Sequence, residues 1–382
     1  MLDFLRPTPP VHDPLEPPLP GAANEIKYTT CYMCACRCGI RVHLRDGEVR
    51  YIDGNPDHSL NEGKICAKGS SGIMKQHSPA RLTVPLKRRP GTARGDGEYV
   101  EISWDEVYAT LAERLGRIRA TDPKRFALFT GRDQMQALTA LWARQFGTPN
   151  YAAHGGFCSV NMAAGMIYSI GGSFWEFGGP DLEHARLFVM IGTAEDHHSN
   201  PLKTAISKFK RAGGRFISIN PVRTGYSAIA HEWIPIRPGT DGALFMALIR
   251  ELIATGEFDR DFVARYTNAM DLVDLDNGLV VGKGDALEGE REVAGKPAKP
   301  AFELLRERVA DCTPEWASAI TGIPAARIVA LAREMGETAM RASFELPIPW
   351  TDTDGVEHAG VVARPVAFHA MRGLAADRKS TR

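Results

Sequence analysis

The sequence has no apolar run approaching the roughly 18 residues that would cross a bilayer as a helix, no excess of either charge and no internal repeat. Lys and Arg number 46, and so do Asp and Glu, for a net charge of zero. A nucleic-acid binder is usually basic, so this balance argues against that class. The opening stretch, MLDFLRPTPPVHDPLEPPLPG, has neither the charged-then-apolar pattern of an export signal nor a twin-arginine pair, which makes the cytoplasm the expected compartment. Seven cysteines are present, several of them crowded together. That suits metal ligation in a reducing compartment better than a disulfide framework. What the chain does have is material for two or three domains: 382 residues, 44% hydrophobic and 24% charged.

Four cysteines carry most of the information. Cys31, Cys34 and Cys38 lie in CYMCACRCGI, and Cys66 lies in ICAKG after a gap of 27 residues. Thiolates this close in a loop can converge on one soft metal centre, with a distant fourth completing the set. Cys31 and Cys34 are too close for an ordinary structural bridge. A zinc site remains open beside an iron–sulfur cluster, because C-x2-C with a later cysteine is a zinc pattern as well. Cys36 is an alternative to Cys38 on geometry alone.

Along the chain, seven prolines in the first twenty residues make 1–24 an extended leader, neither helix nor central strand. Residues 25–100 read as a small β-rich module. There IRVHLRDGEVRYIDG alternates around an Asp46–Gly47 turn and predicts a hairpin. LTVPL and EYVEIS form a second extended pair around a charge-rich loop. From 101 to 382 the pattern is helix and strand in turn. WDEVYATLAERLGRIRA has helical spacing, with Ser103 as N-cap and Glu106 completing a capping box. FALFTG is a candidate buried strand and MQALTALWARQFG a helix. RLFVMIG and RFISIN are strands around the helix LKTAISKFKRAGG. This βαβ order implies a parallel sheet, with ligand loops at its carboxyl ends.

The full motif, C-x2-C-x3-C-x27-C-x-K-G, resembles the N-terminal iron–sulfur motif of the molybdopterin oxidoreductases of the dimethyl sulfoxide reductase family. The resemblance implies a 4Fe-4S cluster on Cys31, Cys34, Cys38 and Cys66, preferring Cys38 over Cys36. It places Lys68 between the cluster and a pterin, in the path of the electrons. It implies an α/β fold: a small β-rich 4Fe-4S domain followed by parallel-sheet α/β domains, C-terminally incomplete. The likeness runs from about Glu25 to about Gly373, whereas catalytic subunits of the family are much longer, so a truncated or split gene product is expected. Gly192 to Asn200 and Pro201, then N-P-V-R-T (220–224) and P-G-T-D (238–241), look like the family's guanine dinucleotide half-site. On that likeness Gly192, Asn200, Asn220, Arg223 and Asp241 bind cofactor, with Asn220 on a ribose and Asp241 on guanine. Asp241 also has a plain reading as a helix N-cap. Two positions depart from the family pattern: Asn220-Pro221-Val222 replaces the common Asp-Pro-Arg, and His231 replaces a frequent aspartate.

Cys158, after two glycines and ahead of a small, apolar and helix-compatible run, stands where the family often supplies its molybdenum ligand. A helix N-terminus favours the thiolate that ligates metal. His154 has two readings, an acid–base group near the metal and a hydrogen-bonded structural histidine. His197 and His198 are expected in the cofactor loop, and Cys312 in a core. The implied cofactors are the 4Fe-4S cluster and molybdenum or tungsten bis(molybdopterin guanine dinucleotide). With HGGFCSVNMAAG and no export signal, the chain is most similar to the polysulfide, thiosulfate and sulfite oxidoreductase branch. Catalytic subunits of that branch face the cytoplasm and pair with two partners, a quinone-linked membrane anchor and a ferredoxin-like iron–sulfur subunit. The expected substrate is therefore a small inorganic sulfur compound such as sulfite, oxidised by two electrons at the metal with relay through the cluster. A formate dehydrogenase and a nitrate reductase are the alternatives; formate enzymes typically place histidine where Ser159 stands. Two readings come from other classes: a molybdenum-free iron–sulfur electron-transfer protein, and a zinc-stabilised binding module. Cys158 and P-G-T-D count against the first of these.

Overall fold

The computed structural model describes residues 23–34, 36–131, 136–154, 160–171, 180–192, 199–223, 225–352 and 354–370. These form two compact units, one up to Val160, joined by residues 199–201, and one made of the remainder.

The first unit opens with a three-stranded antiparallel sheet, β1 (Glu25–Thr30), β2 (Gly39–Arg45) and β3 (Glu48–Gly54), in that order. Asp46 and Gly47 turn with φ of 55° and 79°, the two left-handed residues that a tight hairpin matched to strand twist requires. Ile40, Val42 and Ile52 present one face of the sheet to Cys31 and Cys38. On Arg41, His43 and Asp53 the chemistry is different: the Asp53 carboxylate accepts from Arg41 Nε at 3.0 Å and meets His43 Nε2 at 3.1 Å. That carboxyl is held below its ordinary range: burial opposes ionisation, and the bonds from Arg41 and His43 outweigh it.

Two short helices, α1 (Ala67–Ser70) and α2 (Gly72–Gln76), follow. The extended pair is present as β4 (Leu86–Arg88) against β5 (Tyr99–Glu101). Next comes α3 (Trp104–Thr121), capped by Ser103, whose Oγ accepts from Glu106 N–H at 3.1 Å. The Glu106 carboxylate accepts from Lys87 Nζ at 2.8 Å. The unit continues with β6 (Leu128–Thr130), α4 (Gln136–Phe146) and β7 (Tyr151–Ala153), β6 and β7 being parallel. The expectation of a buried strand at FALFTG fails: Phe129 is 65% exposed, in a sheet that has two strands among the described residues. The apolar run at Val160–Ile170 forms α5.

The second unit carries β8 (Leu187–Ile191), α6 (Ser199–Arg211) from Leu202 onward, β9 (Arg215–Ile219), α7 (Tyr226–Ile229), β10 (Glu232–Ile234) and α8 (Asp241–Thr255). It continues through α9 (Arg260–Tyr266) to a second sheet of β11 (Asp271–Asp274), β12 (Val280–Lys283), β13 (Arg291–Val293) and β14 (Lys296–Pro300). The helices α10 (Ala301–Val309), α11 (Pro314–Thr321) and α12 (Ala325–Arg341) follow. The chain then forms β15 (Phe344–Leu346), β16 (Trp350–Thr351), β17 (Glu357–His358), β18 (Val361–Ala363) and β19 (Val366–Ala370).

The main sheet has the order β10-β9-β8-β19 and is parallel throughout. Its central strand, LFVMI, is buried along its whole length, as a strand covered on both faces must be. Leu187, Val189 and Ile191 pack with α8, α11 and α12 through Leu244, Ala317 and Leu331. Phe188 and Met190 pack on the other face with Ile206, Phe209, Phe216 and Tyr226. The second sheet, β12-β11-β14-β13, is antiparallel and was not expected. Cys312 is half-buried rather than a core residue, lying in the turn between α10 and α11. Among the described residues no helix is long and apolar enough to cross a membrane.

Phe188 is fully buried, stacks on Phe216 at 5.3 Å between ring centroids and meets Phe209 edge-on at 6.2 Å. Phe188→Ala is expected to cost roughly 3–5 kcal/mol, because the layer cannot collapse round so large a void. Denaturant unfolding of this unit would read it. A loss below about 1 kcal/mol would mean that the aromatic layer refills itself.

Candidate cluster site and cofactor crevice

In the first unit two arms bring the cysteines together. The 31–38 loop is closed by Cys31 N–H, which donates to Cys38 C=O at 2.8 Å. Inside it Arg37 takes a left-handed φ of 52° and lays its guanidinium 3.9 Å over the Tyr32 ring. The second arm returns from β3 and ends in Cys66, just ahead of α1; the Cys66 C=O accepts from Ser70 N–H at 3.1 Å. Cys31 and Cys38 are buried, Cys34, Cys36 and Cys66 are half-buried, and none of the five is in a disulfide. Lys68 sits half-buried in α1, and the next residue, Gly69, has no room for a side chain. A Cβ there would stand 2.5 Å from Ile65 and 3.5 Å from Cys31 Sγ.

The thiols act on each other electrostatically. Burial first, and then Cys34, Cys31 and Cys66, push the Cys38 thiol up to about 11. Burial, then Cys34, Cys38 and Cys66, push Cys36 up to about 12. A crowd of buried sulfurs resists holding negative charge by itself, and a bound cation reverses that preference. Among the described residues no three His, Cys, Asp or Glu side chains have the spacing of ligands about a single ion. The thiolates of a cubane each bind a different iron, so they need not converge as ligands of one zinc do. Soft donors, burial and a glycine-cleared floor fit a 4Fe-4S cluster.

Sequence reasoning missed the second arm's fastening. Asn61 is 1% exposed, and its Oδ1 accepts from Gly39 N–H at 2.8 Å. Its Nδ2 donates to Gly39 C=O at 3.0 Å and to Lys64 C=O at 2.9 Å. A lone asparagine in SLNEGK has no periodicity or spacing to flag it.

In the second unit four of the residues expected to bind cofactor, Gly192, Asn220, Arg223 and Asp241, follow the carboxyl ends of the parallel strands. Gly192 ends β8 with φ of 59°, and its N–H donates to Ile219 C=O at 3.0 Å. Asn220 ends β9: its N–H donates to Ile234 C=O at 3.1 Å, and its Oδ1 accepts from Val222 N–H at 3.1 Å. Arg223 follows in the same loop and is exposed. Asp241 is buried at the first position of α8, with Thr240 in the cap position, so the N-cap reading is corrected by one residue. A carboxylate there is favoured by the helix dipole. Asn200, the second residue of α6, falls in the first unit.

His231, at the aspartate position, uses its ring as an acceptor: Phe216 N–H donates to Nδ1 at 2.9 Å, which places the proton on Nε2. Burial, and then Lys210 and Arg215, lower its basicity. His154, directly after β7, is half-buried. Cys158, His197 and His198 lie outside the described residues.

Residues 25–78 match the molybdopterin oxidoreductase Fe4S4 domain, and residues 81–335 match the molybdopterin oxidoreductase family. The chain is 63% identical to one of the subunits of the sulfite dehydrogenase of Allochromatium vinosum, across 92% of this chain and 40% of that protein. It is 29% identical to the molybdopterin-containing subunit of a thiosulfate reductase of Salmonella typhimurium, across 82% of this chain and 36% of that protein. Among solved structures, acetylene hydratase from Pelobacter acetylenicus shares the fold, with a TM-score of 0.62 and 22% identity over 82% of this chain and 39% of that one. The chain thus spans about 40% of the length of the curated relatives it matches. It belongs to the molybdopterin oxidoreductase family and carries that family's 4Fe-4S domain.

Proposed function

We propose that this chain is the cluster- and cofactor-binding part of a molybdenum enzyme that oxidises sulfite. The observation that carries the reading is the 63% identity to a protein of a sulfite dehydrogenase, against 29% to its counterpart in the thiosulfate reductase. In the net reaction sulfite and water become sulfate, with release of two protons and two electrons. When bound, molybdenum (or tungsten) with its pterins would supply two-electron redox chemistry, and a 4Fe-4S cluster held by the cysteines would supply one-electron transfer.

The roles of the residues follow from their chemistry. Cys31, Cys34, Cys38 and Cys66 hold the cluster, and Cys36 stands aside. Lys68 puts a positive charge between cluster and pterin. Cys158 is the protein's ligand to the metal. The cofactor carries a guanine dinucleotide, held by Gly192, Asn200, Asn220, Arg223 and Asp241. Gly192, with no Cβ, lets phosphate approach the main chain at the end of β8. Arg223, exposed in the loop after β9, can pair with phosphate. The Asp241 carboxylate accepts from guanine N–H groups, and Asn220 bonds a ribose hydroxyl. The cluster domain corresponds to 25–100 and the cofactor region to 101–382. A quinone-linked membrane anchor, reached through a ferredoxin-like iron–sulfur subunit, carries the electrons away at the cytoplasmic face.

In the full-length complex with an artificial electron acceptor, dye reduction is expected with sulfite and not with formate. Nitrate, tested with a reduced dye, should leave that dye reduced. Dye reduction that depends on formate and ignores sulfite would overturn the proposal.

A further inference from the structure

We infer that Asn61 is a positioning residue for the iron–sulfur cluster, clamping the main chain beside Cys38 to the main chain that leads into Cys66. The inference rests on the reading that those cysteines hold iron.

The clamp can be followed bond by bond. Asn61 presents one acceptor and two donors, and all three are engaged: Oδ1 by Gly39 N–H, and Nδ2 by Gly39 C=O and Lys64 C=O. Gly39 is therefore held through both its main-chain groups, as a partner strand would hold it. Cys38 is the next residue back, and its C=O takes Cys31 N–H. On the other side Lys64 stands two residues before Cys66, and Lys64 N–H returns to Asn61 C=O at 2.7 Å. One buried carboxamide thus ties the two cysteine arms together.

The loop that carries it has no slack. Glu62 and Gly63 both turn with positive φ, 45° and 78°. A Cβ on Gly39 would come within 2.4 Å of the His58 ring, and one on Gly54 within 2.1 Å of Gly63 C=O. Loop and sheet edge meet backbone to backbone, and Asn61 fills the seam with matched polarity. Gly39 C=O also accepts from Asn55 N–H at 2.9 Å, so loss of the amide would strip Gly39 N–H and Lys64 C=O of their side-chain partner, and the cheapest relief is for the Cys66 arm to move away.

Two substitutions separate positioning from bulk. Asn61→Asp keeps the shape and the acceptor for Gly39 N–H but points a carboxylate oxygen at two carbonyls. Asn61→Ala removes the group and tolerates relaxation, so it serves if the aspartate variant does not fold. Both are made in the full-length holoenzyme, with Cys66→Ala alongside. The expected result is iron release to a chelator about ten- to a hundredfold faster than wild type, with a shifted cluster midpoint potential and altered EPR line shape. Filling of space alone would leave iron release from the isosteric aspartate variant at the wild-type rate, since its added charge acts on the potential only, and that outcome overturns the inference. Cys66→Ala without its cluster, together with wild-type release and potential in both Asn61 variants, sinks the clamp and spares the ligand assignment. Cys66→Ala that keeps its iron sinks the ligand assignment, and the clamp with it.

Discussion

Cys66→Ala is expected to empty the iron site. Wild-type chain purified without oxygen should be brown and carry about four iron and four sulfide, because four thiolates hold one cubane. The variant should be colourless and nearly iron-free. Cys66 is the only one of the four proposed ligands on the second arm, so its loss leaves three thiolates on a single loop and one iron open to water. Its loss should also loosen α1, which starts at the next residue. Cys36→Ala is the matched control, in the same crowd of sulfurs, and it should keep its iron. Iron retained by Cys66→Ala, or lost from Cys36→Ala, would reassign the ligands. Stoichiometric zinc in the wild-type chain, with no broad visible absorption, would replace the cluster reading altogether.

In the full-length complex, Cys158→Ala is expected to abolish turnover and leave the cluster in place. As the proposed ligand, its thiolate would set the geometry and potential of the metal. Cluster absorption and iron content should match wild type, the molybdenum EPR signal should change, and sulfite-dependent dye reduction should vanish. This pattern is the reverse of the one for Cys66→Ala, so each variant controls for the other. An unchanged molybdenum signal with wild-type rates would make Cys158 a packing residue.

Much of this architecture is legible in the residues. Asp46-Gly47 between alternating runs specifies a tight hairpin, because only left-handed residues close it without splaying the strands. LFVMI announces a strand buried on both faces. Ser103 marks the helix start, although Glu106 turns to Lys87 and closes only half of the expected box. The four cysteine spacings and the loops after β8 and β9 lead directly to the two candidate sites. What stayed hidden depends on contacts remote in sequence. β1 is exposed along its length and looks like a strand only once β2 pairs with it. The sheet of β11 to β14 is made of three- to five-residue strands, and Pro297 and Pro300 lie in one of them, so neither periodicity nor propensity signals it. Phe129 misled because an apolar residue in a strand-like run implies a cover, and Phe129 is exposed. Asn61 carries no pattern; its importance comes from where three main-chain groups happen to meet.

The parallel pairing of β8 with β19, from Leu187 opposite Val366 to Ile191 opposite Ala370, has a consequence for biosynthesis. On the ribosome β8 and β9 emerge close together and can pair early through α6. The other edge of β8 waits until Val366 has been made. Throughout that interval a strand of five apolar residues presents unpaired N–H and C=O groups, the kind of edge that recruits strands from other chains. Gly192, Asn220 and Asp241 are all synthesised before that edge is covered, so the crevice exists in outline while the sheet beneath it is still open on one side. Nascent chains halted short of Val366 should therefore aggregate through β8, and those that extend past Ala370 should not.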